Sequence, residues 1–381
     1  MMKVMIVDHN AVFASYRQKY KELSQFPDID ITVIAPKYLD MYSKRYVFQE
    51  ITNSEKSNII TINPIPIGKF QHHRGLLNPI ELIKYFKTLK PEIVLIDAEP
   101  ECWFTAETIF LKKIFSRSSR IVLTTWMNIN LFRNGFPYKM SFIYDFNYKY
   151  SLKNSSGILC YTSEGGEQLR INNFKGRVAK INWGVDLDKF KKIDVSDFKN
   201  NLNLKGFTIG YCGRLVKEKG ILNLVQAVSE LNRKDINLLI IGRGPLSGEI
   251  LEFSHKLKID VKILNAVDNN LMPYYYNCMD LFVLPSLTTK YWMEQFGRVI
   301  IEAMACEVPV IGSSSGEIPN VIEDCGLIFK EGNCNDLAEK IKFFMVNLEE
   351  RKKYIAKAKQ RIEKYFSWKT IAGQIYDFLK K

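Results

Sequence analysis

Histidine is scarce in this chain of 381 residues: there are four, and none stands beside a cysteine, so a His-rich metal centre has little to form from. The seven cysteines, an odd number, lie scattered at Cys102, Cys160, Cys212, Cys278, Cys306, Cys325 and Cys334 with no C-x-x-C pair. That scatter argues against a disulfide framework and against a structural zinc site. No apolar run approaches the ~18 residues that suggest a membrane-spanning helix. The opening MMKVMIVDHN is too short and too soon polar for a signal peptide and reads as a first strand, so the expected compartment is the cytoplasm. Low-complexity stretches and repeats of fixed period are absent too. What is present is ordinary globular material, 46% hydrophobic and 25% charged, which excludes disordered and collagen-like classes. The length suits two domains of ~100–200 residues each.

The charge is uneven. Lysine and arginine number 54 against 41 acids, a formal +13, and residues 1–183 carry 25 basic and 16 acidic side chains, leaving +4 for 184–381. A basic first half suits a phosphate-bearing substrate, a membrane surface or nucleic acid, and equally an ordinary solvated surface. No nucleic-acid recognition motif accompanies it, so nucleic acid is not expected as a partner.

Short apolar runs alternate with helical patterns. KVMIV, DITVIA, EIVLID, RIVLT and GILCY read as buried parallel strands. A second series runs through FTIGYCG, INLLIIG, VKILN, DLFVLP and VPVIG. Two such series imply two doubly wound α/β domains, 1–183 and 184–366, with the break in INWGVDLDKF at residues 181–190. The final segment, 367–381, has helical apolar spacing at Ile371, Ile375, Phe378 and Leu379. That spacing suits packing on either domain; the expectation is that it packs back on the first.

Four segments carry chemistry. In YWMEQFGRVIIEAMACEVPVIGSSSGEIPNVI, Phe296-Gly297 marks a loop turning into a helix near Arg298. Glu294 then lies in the loop and Glu302 about one turn inside. The first amides of such a helix form an anion site, and a carboxylate on either side can grip sugar and ribose hydroxyls. In IGYCGRLVKEKGILNLVQAV a strand ends at Gly213, and the following turn carries Arg214 and Lys219, a planar fork and a point charge suited to a pyrophosphate. LLIIGRGPLSGEI has a weak dinucleotide-like glycine pattern spoiled by Pro245. ILNAVDNNLMPYYYNCMDLFVLPS sets Val267 just past a strand, where it is either a neighbour to a base or a core residue.

Together and in this order, these segments resemble the C-terminal domain of retaining nucleotide-sugar glycosyltransferases of family 4, which have the GT-B fold. The resemblance runs from about Asn182 to the end of the chain and includes the GVDLDKF linker and the FSW-x-x-I helix. It implies two Rossmann-like domains facing across a cleft. It places Glu294 against the donor sugar, Glu302 against the ribose, and Phe296, Gly297, Arg298 and Val299 over the sugar and phosphates. Arg214 and Lys219, next to Gly213, fall on the distal phosphate and Val267 near the base. Arg214, Lys219 and Glu294 are the catalytic candidates.

The first half resembles the family more loosely, through DHNAVFASYRQKYKELSQFPDIDITVIAP, IDAEPECW and TTWMNIN. His9-Asn10-Ala11 stands where many relatives have a Gly-Gly pair, and Trp126-Met127-Asn128 where many have a histidine. Glu307 stands where a glycine is common. Asn10, Glu99 and Asn128, at expected strand ends, are the acceptor-side candidates, or simple caps. His72, His73 and Arg74 suit an anionic acceptor or a solvated loop. Asp28 and Asp30, like Asp186 and Asp188, read as turn acids. Residues 131–153 hold eight aromatics, four bases and one acid, with Phe142, Phe146 and Tyr150 on one helical face. That face meets either a membrane or polyprenyl-linked acceptor, or the domain core.

The expected activity is retaining transfer of a hexosyl unit from a nucleoside diphosphate sugar to a hydroxyl of a saccharide or lipid-linked acceptor. Neither metal nor cofactor is expected. The context is bacterial surface polysaccharide or glycan synthesis, at the inner face of the membrane. The alternatives are a non-catalytic nucleotide-sugar-binding subunit and a glycan phosphorylase; no lysine context for pyridoxal is visible for the latter.

Overall fold

The computed structural model describes residues 1–41, 44–51, 58–65, 75–129, 141–265 and 267–381. The chain divides into two compact units, Met1–Gly184 with Trp368–Lys381, and Val185–Ser367.

The first unit is built on seven parallel strands: β1 (Met2–Val7), β2 (Ile29–Pro36), β3 (Asn58–Ile62), β4 (Ile93–Ile96), β5 (Arg120–Thr125), β6 (Gly157–Cys160) and β7 (Arg177–Lys180). Their spatial order is β7-β6-β5-β4-β1-β2-β3. Central strands buried on both faces are apolar at every position, as Ile93–Ile96 and Gly157–Cys160 are. Register is fixed by pairings such as Ile6 with Val33 on one side and Leu95 on the other. Helices α1 (Ala14–Leu23), α2 (Pro79–Leu89), α3 (Trp103–Phe115), α4 (Ser141–Lys153) and α5 (Ser163–Ile171) flank the sheet. The start of α2 shows how local sequence sets an element. Asn78 accepts the backbone N–H groups of Ile80 and Glu81, and Pro79 at the first helical position has no N–H to leave unpaired.

The second unit has six parallel strands: β8 (Phe207–Cys212), β9 (Ile236–Ile241), β10 (Asp260–Leu264), β11 (Leu281–Leu284), β12 (Val310–Ser313) and β13 (Leu327–Phe329). Their order is β10-β9-β8-β11-β12-β13. Its helices are α6 (Ser196–Asn201), α7 (Ile221–Glu230), α8 (Ser247–Lys256), α9 (Met272–Asn277), α10 (Arg298–Ala305), α11 (Ile318–Ile322), α12 (Cys334–Val346) and α13 (Leu348–Tyr365).

Helix α14 (Trp368–Lys380) belongs to the first unit. It buries Ile371, Ile375, Phe378 and Leu379, and Tyr376 stacks on Phe26 with ring centres 4.1 Å apart. Polar ties add to this: Arg120 donates to the Leu379 carbonyl at 2.7 Å, and Lys380 lies 2.9 Å from Asp28. The chain passes between units at neighbouring points, since Val185 bridges Ser367 and donates to the Phe366 carbonyl at 2.7 Å. All seven cysteines are free thiols, five of them buried. No helix among the described residues is long and apolar enough to cross a membrane.

Candidate active site

In an open parallel sheet, neighbouring strands whose connections run in opposite directions leave a crevice at their carboxyl ends. In the second unit that point lies between β8 and β11. The loop after β8 supplies Lys219 and the loop after β11 supplies Glu294, and the two side chains meet there, Nζ to Oε2 2.5 Å. Ser286 donates its hydroxyl to the same oxygen at 2.6 Å, and the ammonium lies 4.8 Å from the centre of the Trp292 ring. Both partners are only 10–12% exposed, so this is a pair shielded from bulk water at the mouth of the sheet. Arg214, from the start of the same β8 loop, is exposed to solvent, while its carbonyl accepts the Tyr211 hydroxyl at 2.9 Å.

Glycines let these loops close on one another. Gly242 has φ +155, and a Cβ there would collide with the Gly213 carbonyl. The turn after β9 therefore lies against the turn after β8, tied by Leu215 N–H to the Arg243 carbonyl at 2.9 Å. The dinucleotide-like glycine pattern is thus explained by backbone packing. Gly316, with φ +53, lies against the main chain of Glu294, and Glu317 N–H donates to the Glu294 carbonyl at 3.2 Å. The SSSG turn after β12 braces the glutamate loop in this way; the sequence reading did not single it out.

Helix α10 begins at Arg298 after Gly297, a left-handed N-cap at φ +79 with no side-chain capping bond. The positive end of its dipole is accordingly not covered by a cap side chain. Glu302 sits one turn inside and accepts the Tyr276 hydroxyl at 2.8 Å. Burial pushes its carboxyl up from the usual range, against the opposing charges of Arg298 and Lys189. The other end of α10 explains Glu307. It occupies the left-handed position after the helix at φ +58, with its N–H to Met304 and the next N–H, of Val308, to Ala303, the pairing that favours glycine. Phe296 is sealed in the core against Phe366, rings 6.0 Å apart, so only its main chain is left for a ligand. Arg298 and Val299 are half-buried in the first turn, and half-buried Val267 follows β10, two strands away from β8.

The equivalent point of the first unit lies between β1 and β4, and it is closed. Asp8 ends β1 and Asp97 ends β4, and both are buried with Lys19 and Tyr20 of α1. Lys19 Nζ lies 2.5 Å from Asp97 and 4.0 Å from Asp8. The Tyr20 hydroxyl is 2.8 Å from Asp8 and 2.7 Å from Asp97. One phenolic hydrogen cannot serve two carboxylates, so one contact requires a carboxyl hydrogen. Burial and the charge of Asp97 raise Asp8 to about 7, while Lys19 lies closer to Asp97 than to Asp8. None of these four was singled out as a site residue. The available signal was an acid after each of two wholly apolar runs.

The acceptor-side candidates lie along this edge. Asn10 sits in the turn after β1, half-buried, with its N–H on Asp8 at 2.7 Å. Glu99 accepts the Thr125 hydroxyl and the Trp126 N–H, both at 2.7 Å, so it ties the end of β4 to that of β5. Asn128 is buried after β5. Trp126 stacks on Tyr161 at 3.8 Å, beside Trp183 at 5.0 Å, so a non-titrating indole fills that strand end. His72, His73 and Arg74 lie outside the described residues, as do 131–140 of the aromatic segment. Asp186 accepts the N–H groups of Asp188 and Lys189, a turn cap.

Comparison with known proteins adds to this geometry. Residues 192–361 match the family model described as glycosyl transferases group 1. An uncharacterized glycosyltransferase of Methanocaldococcus jannaschii is 30% identical over 238 residues, 61% of this chain and 62% of that one. The capsular polysaccharide biosynthesis glycosyltransferase CapM of Staphylococcus aureus is 32% identical over 212 residues, 52% of this chain and 54% of CapM. The chain thus spans somewhat over half the length of these curated relatives. Among solved structures, Anabaena HepE in complex with UDP superposes with a TM-score of 0.75 at 17% identity, covering 100% of both chains. The fold is GT-B, with two doubly wound Rossmann-like units.

Proposed function

We propose that this chain, whose residues 192–361 match the glycosyl transferases group 1, transfers a hexosyl unit from a nucleoside diphosphate sugar to a hydroxyl, with retention of anomeric configuration. One observation carries the reading: Lys219 and Glu294 converge at 2.5 Å on the switch point of the second sheet, with Arg214 on the same loop as Lys219 and α10 starting four residues after Glu294. As the bond from the anomeric carbon to the phosphate oxygen breaks, negative charge grows on the departing diphosphate. Arg214, Lys219 and the dipole of α10 oppose that charge from fixed positions, so they stabilise the transition state more than the bound donor. The acceptor hydroxyl attacks on the face the diphosphate leaves, and the leaving phosphate oxygen takes up its proton. Glu294 holds Lys219 until donor binds and then orients sugar hydroxyls; it is not assigned as a covalent nucleophile. Glu302, fixed by Tyr276, receives the ribose, and Val267 neighbours the base. This route needs no divalent metal.

The capsular polysaccharide role of CapM and the UDP held by HepE support a nucleotide-sugar donor and surface polysaccharide synthesis; a saccharide or lipid-linked acceptor met at the inner face of the membrane completes the proposal. The test is a thermal-shift screen against UDP, GDP, ADP, CMP and their sugars, with EDTA and with Mg²⁺. It is followed by NMR assignment of the anomer formed with the stabilising donor. A metal-independent shift with one nucleotide and a retained anomer are expected; an inverted product, or a shift only with Mg²⁺, overturns the mechanism.

A second reading is a nucleotide-sugar-binding subunit without turnover. It draws on the first unit, where Glu99 is committed to Thr125 and Trp126, and an indole fills the end of β5. Donor binding with neither hydrolysis nor transfer over a panel of acceptors would favour it.

A further inference from the structure

Two helices of the first unit turn apolar rows to solvent. On α4, Phe142 and Phe146 are 71% and 66% exposed, and Tyr150 stacks on Phe146 at 6.2 Å. The opposite side of α4 buries Tyr144, Tyr148 and Leu152 in the unit, so the exposed row is not needed for folding. On neighbouring α3, Phe110 and Ile114 are 56% and 47% exposed. The rows join at Lys113, whose ammonium lies 5.7 Å from the centre of the Tyr150 ring and donates to Asn154 at 3.0 Å. At the C-terminal end of α4, beside the row, opens a cavity of about 380 Å³ lined by Lys149, Lys153 and Lys175 with Ser155 and Asn172. Asp145, 2.6 Å from Lys149, is the acid of α4 itself, so the helix carries two lysines against one acid.

We propose that this α3–α4 face docks on an anionic lipid bilayer. The aromatic rows enter the boundary between headgroups and acyl chains, and the lysine-lined cavity receives a lipid phosphate. Exposed rings and a lysine ammonium over the adjoining Tyr150 ring match that boundary, where aromatic and cationic groups are both accommodated. A second copy of the chain fits the face poorly, because an isologous contact would set its lysines near their own copies. The proposal does not rest on the transfer reading, since docking is measured with no donor present.

The test is co-sedimentation with vesicles of phosphatidylglycerol and phosphatidylcholine in equal parts, and with phosphatidylcholine alone, at low salt and at about 0.5 M salt. The full chain should sediment with the anionic vesicles at low salt and remain in solution with the neutral ones. The double variant Phe142→Ser/Phe146→Ser and the charge reversal Lys149→Glu/Lys153→Glu should each lower partitioning at least about tenfold. Both should keep the wild-type urea midpoint, because every changed side chain lies off the buried face. Three results would overturn the proposal: no sedimentation of the wild type, variants that partition like it, or complete release by millimolar glycerol phosphate, which would mark a small-phosphate site. Self-association abolished by Phe142→Ser without vesicle binding would do so as well, assigning the face to a second copy.

Discussion

Both units place a lysine and carboxylates at the point where a parallel sheet reverses its winding, and they use them oppositely. In the second unit Lys219 and Glu294 come from loops, with solvent-exposed Arg214 on the same β8 loop. In the first, Lys19 comes from a helix and its partners from the strand ends, and α1 closes over all of them. A charge at the carboxyl edge is therefore no sign of a site by itself. What separates ligand machinery from core is whether the charge is offered by a loop or covered by a helix.

That contrast can be broken experimentally. The largest effect should come from Lys19→Met, which leaves the buried Asp8–Asp97 pair without its cation and costs about 3–5 kcal/mol in urea unfolding. Nucleotide binding measured on the folded fraction should be unchanged; wild-type stability with lost binding would make the first edge a site. Lys219→Ala should lower kcat by about 10²–10³-fold with a smaller change in donor KM, at little cost in stability. Wild-type turnover would remove the electrostatic role of the second edge.

A smaller effect concerns pH. The folded chain holds a proton on Asp8 up to about pH 7, far above the ordinary value of 3.8 that applies once unfolded. The native state binds the extra proton between those values, so this stabilisation is complete below the lower one and fades as pH rises through the upper. Burial raises Glu101 and Glu107 in the same unit as well, to about 7 and about 8, and adds in the same direction. Lys19 stays charged throughout and adds no slope. Asp8 alone should cost about 2–3 kcal/mol of stability from pH 5 to pH 8, and Asp8→Asn should remove that part of the slope while Glu101 and Glu107 keep the rest; a rise over that range would contradict the proton count. The smallest effect is Glu307→Gly, which relieves a left-handed glutamate and should add about 0.5–1 kcal/mol, less whatever the 2.8 Å bridge to Lys359 contributes.

The strands most legible in the sequence were those buried on both faces, because continuous apolar runs such as INLLII have few alternatives. Within the two large parallel sheets the strands missed, β3, β7 and β13, are edge strands; Arg177–Lys180 is largely exposed and reads as a loop. In the second unit Lys219 and Glu294 are named from their places in turns after strands together with the family resemblance, and the structure brings the two side chains together. The burial of Phe296 was not legible, since an aromatic before a glycine packs inward or outward with the same local pattern. The Asp8–Lys19–Asp97–Tyr20 cluster was missed for a related reason. A lysine at position 19 of an amphipathic helix looks like surface until the partner strands are in place.

The terminal helix has a consequence for how the protein is made. The first unit lacks Ile371, Ile375 and Phe378 until residues 368–380 are synthesised, whereas the second is one uninterrupted stretch, Val185–Ser367. The usual order of assembly on the ribosome, first domain first, is thereby reversed for completion: the later unit can close while the earlier still exposes the groove that α14 fills. A chain stalled before Trp368 would therefore display its defect in the first unit, and a chaperone or protease that inspects that unit would be reading whether α14 had been made.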